Sequence, residues 1–350
     1  MAPGRTYAKV RHKVPYCLQA YEGYKESLAR IFLPSSDLRT EQPLDLLFRI
    51  DPLFRLDSRL HRDNTIRMPI NKAAWIPAKC APFTVDEAPM PEPEANEVVI
   101  RVRAVAINPV DAAIQSMGII VEDYPAVVGC DVAGDITTVG SDISDLKPGD
   151  RVLACLDLEA KRVNKGSFQL YCAALATLTA ILPENVSYTQ GCVLPLALST
   201  AATSLFQKGN LEMQHPQVDP EPNGKSVLIW GGSSSVGSCA IQMAKAAGYE
   251  VATTCSSHNF DYCRSIGADH VLDHKKDDTV DRIVSWGSSL KNDEVGAAIW
   301  GSWVTPALVK GTLKCKPEPD VVGHGLEAIQ EACDRMMRGV SAKKLVVEIA

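Results

Sequence analysis

The chain has 350 residues, of which 46% are hydrophobic and 22% charged, a balance typical of a globular protein with room for two domains of ordinary size. A formal net charge of −6 argues against a general nucleic-acid-binding surface. No apolar run reaches the roughly 20 residues that a membrane helix needs. The 11 cysteines lack metal-ligand spacing, which indicates reduced thiols in a cytoplasmic protein.

Residues 1–67 differ in character from the rest of the chain, since basic side chains outnumber acidic ones there. The segment shows little of the alternation that is typical of strands. We expect a leader that is poorly structured or partly helical. Organelle targeting is an alternative, but a mitochondrial presequence is normally poor in the acidic residues that are scattered through this segment.

Ordered structure is predicted from Met68 onward. Asn71–Ile76 is expected to form a first strand, and the alternation over Glu97–Ile107 predicts a longer one. Asn108-Pro-Val-Asp111 opens a short helix that the Asp111 side chain can cap. Two further short strands are expected within 124–140, another is expected to follow a turn at 146–153, and another to start at 166–171. Many short strands with Gly and Pro turns predict a small, mostly β domain over residues 68–188.

A second domain is predicted over residues 189–302, introduced by a helical stretch at Thr189–Phe206. The apolar run Ser226–Trp230 is typical of a buried parallel strand. A glycine-rich turn and a helix ending at Gly248 follow, and Tyr249–Thr254 forms a second strand. Strand, turn, helix and strand open a Rossmann-type dinucleotide-binding sheet, so the fold class is α/β with a doubly wound parallel sheet.

The turn of this unit is suited to a pyrophosphate. Gly232 permits the bend, small Ser234 admits the phosphate, and Gly237 lets the helix pack close to the sheet. A P-loop is excluded because Ser238 and Cys239 stand where that motif needs Lys and Ser or Thr. A tight turn without a ligand is the alternative. The predicted cofactor-binding residues of the turn are Gly231, Gly232, Ser233, Ser234, Ser235, Val236 and Gly237.

The residues after the second strand favour NADPH. An NAD site places an acidic residue about 20 residues after the glycines, to accept from the ribose hydroxyls. No carboxylate occurs here before Asp261, whereas Ser256, Ser257, His258 and Asn259 can all donate hydrogen bonds to a 2′-phosphate. An ordinary polar loop between strand and helix is the alternative interpretation.

The order of several motifs resembles the medium-chain dehydrogenase/reductase superfamily. The chain is most similar to its zinc-free quinone oxidoreductase and enoyl reductase branch, and to fungal proteins labelled zinc-binding alcohol dehydrogenase domain proteins. The resemblance covers Met68 to the C-terminus with one break. It implies a GroES-like catalytic domain to which residues 303–350 return. The motifs, besides the glycine turn, are Asn108-Pro-Val-Asp111, Gly129-Cys-Asp-Val-Ala-Gly134, Lys147-Pro-Gly-Asp-Arg-Val152, Gly166-Ser-Phe168 and Gly267-Ala-Asp-His270.

The resemblance also implies a chemistry. Zinc enzymes of the superfamily typically include a Gly-His-Glu element, where this chain has Gly129-Cys-Asp131, so we expect no metal. Hydride then passes from NADPH to a polarised C=C bond or a quinone. Asn108 is expected to donate to the substrate carbonyl, and Thr200 to lie beside the nicotinamide or substrate. The alternatives are that Asn108 is a turn residue and Thr200 a packing hydroxyl.

The span from Val227 to Trp300 is too short for a complete six-stranded sheet, and about two late strands are missing. Three functions therefore stay open: an NADPH-dependent reductase of small enones, enoyl compounds or quinones, a trans-acting enoyl reductase with a polyketide synthase partner, and a nucleotide-binding protein without catalysis. Ala112-Ala113 replaces a lysine that is frequent in trans-acting enoyl reductases, which disfavours a tethered substrate. A homodimer also stays open, because the usual dimer edge belongs to the missing strands.

Overall fold

The computed structural model describes residues 70–156, 165–273 and 294–349. The predicted leader at 1–67 lies outside this part of the chain. The strands are β1 (Asn71–Ile76), β2 (Thr84–Ala88), β3 (Glu97–Ala106), β4 (Ala126–Val127), β5 (Asp131–Val139), β6 (Arg151–Cys155), β7 (Tyr171–Leu175), β8 (Thr179–Ile181), β9 (Ser226–Trp230), β10 (Glu250–Cys255), β11 (His270–Asp273), β12 (Glu318–His324) and β13 (Lys343–Glu348).

Eight α-helical segments accompany these strands in the described ranges. They are α1 (Pro109–Met117), α2 (Tyr188–Gly191), α3 (Pro195–Phe206), α4 (Ser235–Ala246), α5 (Phe260–Ser265), α6 (Glu294–Gly296), α7 (Val304–Lys310) and α8 (Ile329–Met337). A π-helical run, Ala297–Trp303, joins α6 to α7. Short 3-10 turns occur at Ala176–Leu178, Ser257–Asn259 and Leu326–Ala328.

A β-rich domain is built around β3. This strand pairs antiparallel with β5, β7 and β13 in a seven-stranded sheet whose order is β12-β13-β3-β5-β6-β8, with β7 beside β3. The register of β3 shifts between Val102 and Ala104. Such a bulge exchanges the two faces of a strand. Val98 and Ile100 before the bulge therefore share a core with Val105 after it.

The second sheet contains three parallel strands in the described residues, in the order β11-β10-β9. β9 has the bounds that its apolar run predicts, and β10 is shifted by one residue from the predicted strand. Helix α4 follows the glycine turn, as expected, and Gly248 beyond its end has φ of 81°. Val295–Trp300, the last segment before the predicted break, is helical.

Helix α3 belongs to a core that both sheets share. Its buried residues Leu198 and Ala201 lie in one apolar cluster with Leu153 of β6, Ile229 of β9 and Ile241 of α4. The predicted domain boundaries at 188 and 302 stay predictions. No helix among the described residues combines the length and the apolar character that a membrane crossing needs.

The C-terminal strand returns to the β-rich sheet, as the resemblance implies. β13 pairs antiparallel with β3, with Val346 opposite Ala106, and parallel with β12. The backbone N–H of Ile107 donates to the carbonyl of Leu345 at 2.9 Å. This pairing places Lys344, the neighbour of Leu345, against Asn108 at the end of β3.

Candidate active site

The glycine turn is capped by its own middle serine. The Ser234 hydroxyl accepts from the backbone N–H of Gly237 at 3.0 Å and donates to the Gly231 carbonyl at 2.8 Å. Ser234, whose small side chain is predicted to admit the phosphate, is therefore also the N-cap of α4. Ser234 and Val236 are exposed, so the N-terminus of this 12-residue helix opens to solvent.

Two glycines of the turn are required by close contacts. A Cβ at Gly237 would lie 2.3 Å from the carbonyl oxygen of Gly231, and one at Gly232 would lie 2.2 Å from Thr253 Oγ1. The turn is thus pressed against α4 and β10, while its outer face is open. These features fit a dinucleotide pyrophosphate, which needs a close backbone approach at a helix N-terminus.

The loop after β10 lies at the same edge of the sheet as the turn, because β9 and β10 are parallel and adjacent. Ser257 and His258 are exposed and Ser256 is half-buried. Asn259 is buried, with 7% of its surface exposed. Three of the four predicted phosphate donors are therefore accessible, and Asn259 is the least accessible of them.

Asn108 is buried in a polar network. Its backbone N–H donates to Asp111 Oδ2 at 2.7 Å, so Asp111 serves the start of α1 as expected. The side-chain Nδ2 donates to Asp131 Oδ2 at 3.0 Å, and Lys344 Nζ donates to Asn108 Oδ1. Both the oxygen and the nitrogen of the side-chain amide are therefore hydrogen-bonded. The bond to Asp131 uses one of the two N–H groups of Nδ2, which leaves the second N–H for another acceptor.

Asp131 joins this network to α3. Its Oδ1 accepts from the backbone N–H of Leu196 at 2.7 Å, and its Oδ2 lies 3.1 Å from Lys344 Nζ. Leu196 is in the first turn of α3, where the N-cap residue Leu194 offers no side-chain acceptor. The carboxylate therefore satisfies a free helix N–H from a distant part of the chain.

Thr200 lies one turn beyond Leu196, on the same side of α3, and is half-buried. Helix α3 packs along α4, the helix that begins at the glycine turn. The two predicted catalytic residues are thus linked through Asp131 and Leu196. The predicted cofactor turn is connected to Thr200 by α4, which begins at the turn and packs against α3.

The nearby acid and thiol have strongly shifted pKa values. The pKa of Asp111 is raised to about 7, chiefly by burial and in part by the charge of neighbouring Asp131, although the backbone hydrogen bond from Asn108 acts to lower it. The Cys130 thiol donates to Asp111 Oδ1 at 3.8 Å. Burial also raises the pKa of Cys130 well above its ordinary value, so this thiol is protonated at neutral pH.

These residues do not fit a catalytic zinc ion. Cys130 is directed at Asp111, and Asp131 is neutralised by Lys344. In the described ranges, no three His, Cys, Asp or Glu side chains come together as metal ligands. The predicted lack of a metal still stands as a prediction.

Lys344 is the site residue that sequence reasoning missed. A signal for it exists, because successive residues of a strand face opposite sides of the sheet. Of the adjacent pair Lys343 and Lys344 at the start of β13, one must therefore face the interior. Lys343 is exposed and Lys344 is buried.

A cavity of about 400 Å³ lies elsewhere in the β-rich domain. It is lined by Arg103, Tyr188, His324 and Glu348, among others, and by none of the predicted site residues. Its polar side chains already have partners: His324 contacts Glu348 at 2.9 Å, and Arg103 contacts Asp135 at 2.8 Å. We assign it no part in the reaction.

Comparison with known families agrees with this architecture. The alcohol dehydrogenase GroES-like domain matches residues 94–197, and the zinc-binding dehydrogenase family matches residues 235–298. The dehydrogenase azaJ of Aspergillus niger is 37% identical over 81% of this chain and its own full length. The trans-enoyl reductase himH of Aspergillus japonicus is 34% identical over 80% of this chain and 98% of its own.

Solved structures share the fold at lower identity. The quinone oxidoreductase from Coxiella burnetii is 20% identical and superposes with a TM-score of 0.60, covering 81% of this chain and all of its own. A mycobacterial protein solved with NADPH is 18% identical, with a TM-score of 0.59 over 79% of this chain and 99% of its own. The chain belongs to the medium-chain dehydrogenase/reductase superfamily and is an oxidoreductase of that class.

The same comparison bears on the predicted break. The alignment with azaJ extends over 346 residues and all of that protein, but takes in only 81% of the 350 residues here. The relative therefore has residues without a counterpart in this chain. The three-stranded second sheet of the described residues is consistent with such a loss.

Proposed function

We propose that the protein is an NADPH-dependent reductase that delivers hydride to a polarised C=C bond or a quinone without a metal ion. The observation that carries the proposal is the buried Asn108 amide, held between Lys344 and Asp131 beside the helix that carries Thr200. Relatives named as trans-enoyl reductases and a fold shared with a quinone oxidoreductase support this reaction class.

NADPH, when bound, supplies the hydride. The exposed face of the turn at 231–237 would hold its pyrophosphate, and Ser256, Ser257 and His258 would surround the 2′-phosphate. The preference for NADPH over NADH rests on the lack of a carboxylate in the 256–259 loop. A similar fold in a mycobacterial protein solved with NADPH supports the choice.

The residues of the chain would act on the substrate oxygen. Hydride addition to an enone or quinone leaves negative charge on that oxygen, which hydrogen-bond donors stabilise best when they are held in place beforehand. The second N–H of the Asn108 amide is such a donor. Its bonds to an ammonium and a carboxylate polarise the amide and strengthen this donation.

A second candidate is a trans-acting enoyl reductase that works on an acyl chain carried by a polyketide synthase. The 34% identity to himH over 80% of the chain favours it. The alanines at 112 and 113, where a lysine is frequent in that group, disfavour it. A third candidate, nucleotide binding without catalysis, draws support from the three-stranded sheet in the described residues.

NADPH oxidation by the purified protein distinguishes these candidates. We expect turnover with at least one member of a panel of small quinones and enones, and slower turnover with NADH. Turnover with a carrier-bound enoyl chain alone would favour the second candidate. NADPH binding without turnover of any acceptor would refute the reductase proposals and leave the third.

A further inference from the structure

A buried ion pair touches both halves of the candidate active site. Lys344 Nζ lies 3.1 Å from Asp131 Oδ2, and the two side chains are 3% and 0% exposed. The ammonium also donates to Asn108 Oδ1, and the carboxylate also accepts from Leu196 N. Buried ion pairs are often no more stabilising than apolar pairs of similar volume. A contribution to stability alone therefore does not explain this pair, which also organises neighbouring groups.

The first thing it organises is the orientation of the Asn108 amide. An ammonium can only donate and a carboxylate can only accept. Oδ1 must therefore face Lys344 and Nδ2 must face Asp131, and the flipped amide would lose both bonds. The direction in which the second N–H points is fixed as a result.

The second thing it organises is the start of α3. Asp131 Oδ1 holds the Leu196 amide, and a carboxylate at a helix N-terminus also interacts favourably with the helix dipole. Thr200 follows one turn later. The Asp131 carboxylate therefore connects Asn108 directly to the helix that carries Thr200.

We infer that Lys344 and Asp131 are positioning residues of the reductase reaction, which hold Asn108 and α3 in register without touching the substrate. This inference rests on the proposed function. Reacting groups must be placed closely, since a displacement of about 1 Å lowers rates by roughly 100-fold. The ion pair supplies that placement from β5 and β13.

Two variants test this role. Lys344→Met alone would leave the Asp131 carboxylate buried and unpaired, so it is combined with Asp131→Asn, which removes both charges. Asp131→Glu keeps both charges but moves the carboxylate by one methylene group. The matched control is Lys147→Met with Asp150→Asn, which removes an ion pair of 2.7 Å in which Lys147 is exposed.

We expect both site variants to bind NADPH within about threefold of the wild type, while kcat falls by roughly 10- to 100-fold. The control should keep its kcat. Folding is checked by circular dichroism, and Asp131→Glu decides the question if the doubly neutral variant does not fold. This split between kcat and binding would not follow from a general loss of structure.

Two results would overturn the inference alone. One is an active wild type whose folded site variants keep kcat within twofold. The other is a loss of rate that saturating NADPH fully restores, because the variants would then have lost cofactor affinity and not kcat. A wild type that binds NADPH but reduces no acceptor, free or carrier-bound, overturns the proposed function and this inference together.

Discussion

Asp111 is a fully buried carboxyl group that the fold surrounds with few compensating charges. It accepts from the Asn108 backbone and the Cys130 thiol, and Lys344 lies near enough to lower its pKa slightly. Burial outweighs these effects and raises the pKa to about 7. At neutral pH this carboxyl is therefore divided between its protonated and ionised forms.

Asp111→Asn is expected to change how stability depends on pH. The folded protein binds the Asp111 proton more tightly than the unfolded chain, whose pKa is near 3.8, so this stabilisation is full below that pH and is lost as pH rises through 7. Between pH 5 and 7, the free energy of unfolding of the wild type should fall relative to the variant by roughly 1.4 kcal/mol per pH unit. Urea unfolding at pH 5, 6, 7 and 8 measures the difference.

The exposed Asp261→Asn serves as the control and should follow the wild type. Parallel curves for the wild type and Asp111→Asn would contradict the assignment. The result does not depend on whether the protein is catalytically active.

Gly237→Ala is expected to damage the cofactor turn. The added Cβ would meet the Gly231 carbonyl oxygen at 2.3 Å, and a backbone oxygen cannot move aside as a flexible side chain can. We expect a loss of about 1–3 kcal/mol in the free energy of unfolding and at least a tenfold weaker affinity for NADPH.

Gly301→Ala is the matched control, because nothing lies within 4 Å of its Cβ position. It should keep the free energy of unfolding or raise it by up to about 1 kcal/mol, because Gly301 lies within a helical run where alanine is favoured over glycine. Chemical denaturation and fluorescence titration with NADPH measure both effects. Equal behaviour of the two variants would contradict the packing argument.

At the scale of elements, the nucleotide unit is the part that the sequence predicts best. Its strand, turn, helix and second strand are contiguous, and each has a local signal: an apolar run, glycines, helical spacing and a terminal Gly248. The structure confirms all four within a residue or two. Local physics suffices for this unit, because each segment of it contacts the next.

The polar network could not be predicted in the same way. Lys344 and Asn108 are 236 residues apart, and Asp131 and Leu196 are 65 apart. Such pairs depend on which strand lies beside which, and here the pairing of β13 with β3 decides it. The alternation of side chains along β13 predicts that one of the two lysines is buried. The order of the strands in the sheet is needed to predict that it pairs with Asp131.

Ser257→Asp tests the cofactor assignment of the loop after β10. Ser257 is exposed at the end of the strand, where a carboxylate would repel a 2′-phosphate and accept from a ribose hydroxyl. Like charges brought together cost several kcal/mol, so we expect NADPH affinity to fall by at least tenfold and NADH affinity to rise. Fluorescence titrations with both nucleotides measure the change in preference.

Stability should not respond to this substitution, because Ser257 is exposed. Ser234→Ala should instead lower stability by about 1 kcal/mol, because it removes the N-cap of α4, and should leave the preference between NADPH and NADH unchanged. An unchanged preference in Ser257→Asp would mean that the loop does not contact the ribose phosphate.

At the scale of the whole molecule, two kinds of site can be separated. The glycine turn and the loop after β10 both belong to the three-stranded sheet of the described residues, whereas a complete sheet of this class has six strands. Asn108, Asp131 and Lys344 belong to the β-rich domain. The proposed nucleotide binding would therefore depend on fewer elements than the proposed hydride transfer, which needs both the turn and the Asn108 site.

It follows that NADPH should stabilise the folded chain whether or not turnover is found. At a concentration 100 times its Kd, a ligand that binds only the native state adds about 2.7 kcal/mol to the free energy of unfolding. For a protein of 350 residues that corresponds to a rise in Tm of roughly 3–5 °C. Thermal unfolding with increasing NADPH should show this rise and a smaller one with NADH. Gly237→Ala, whose turn is distorted, should show neither. An unchanged wild-type Tm at millimolar NADPH would mean that the glycine turn and the loop after β10 do not form a nucleotide site. The proposed NADPH-dependent reaction would then be refuted as well.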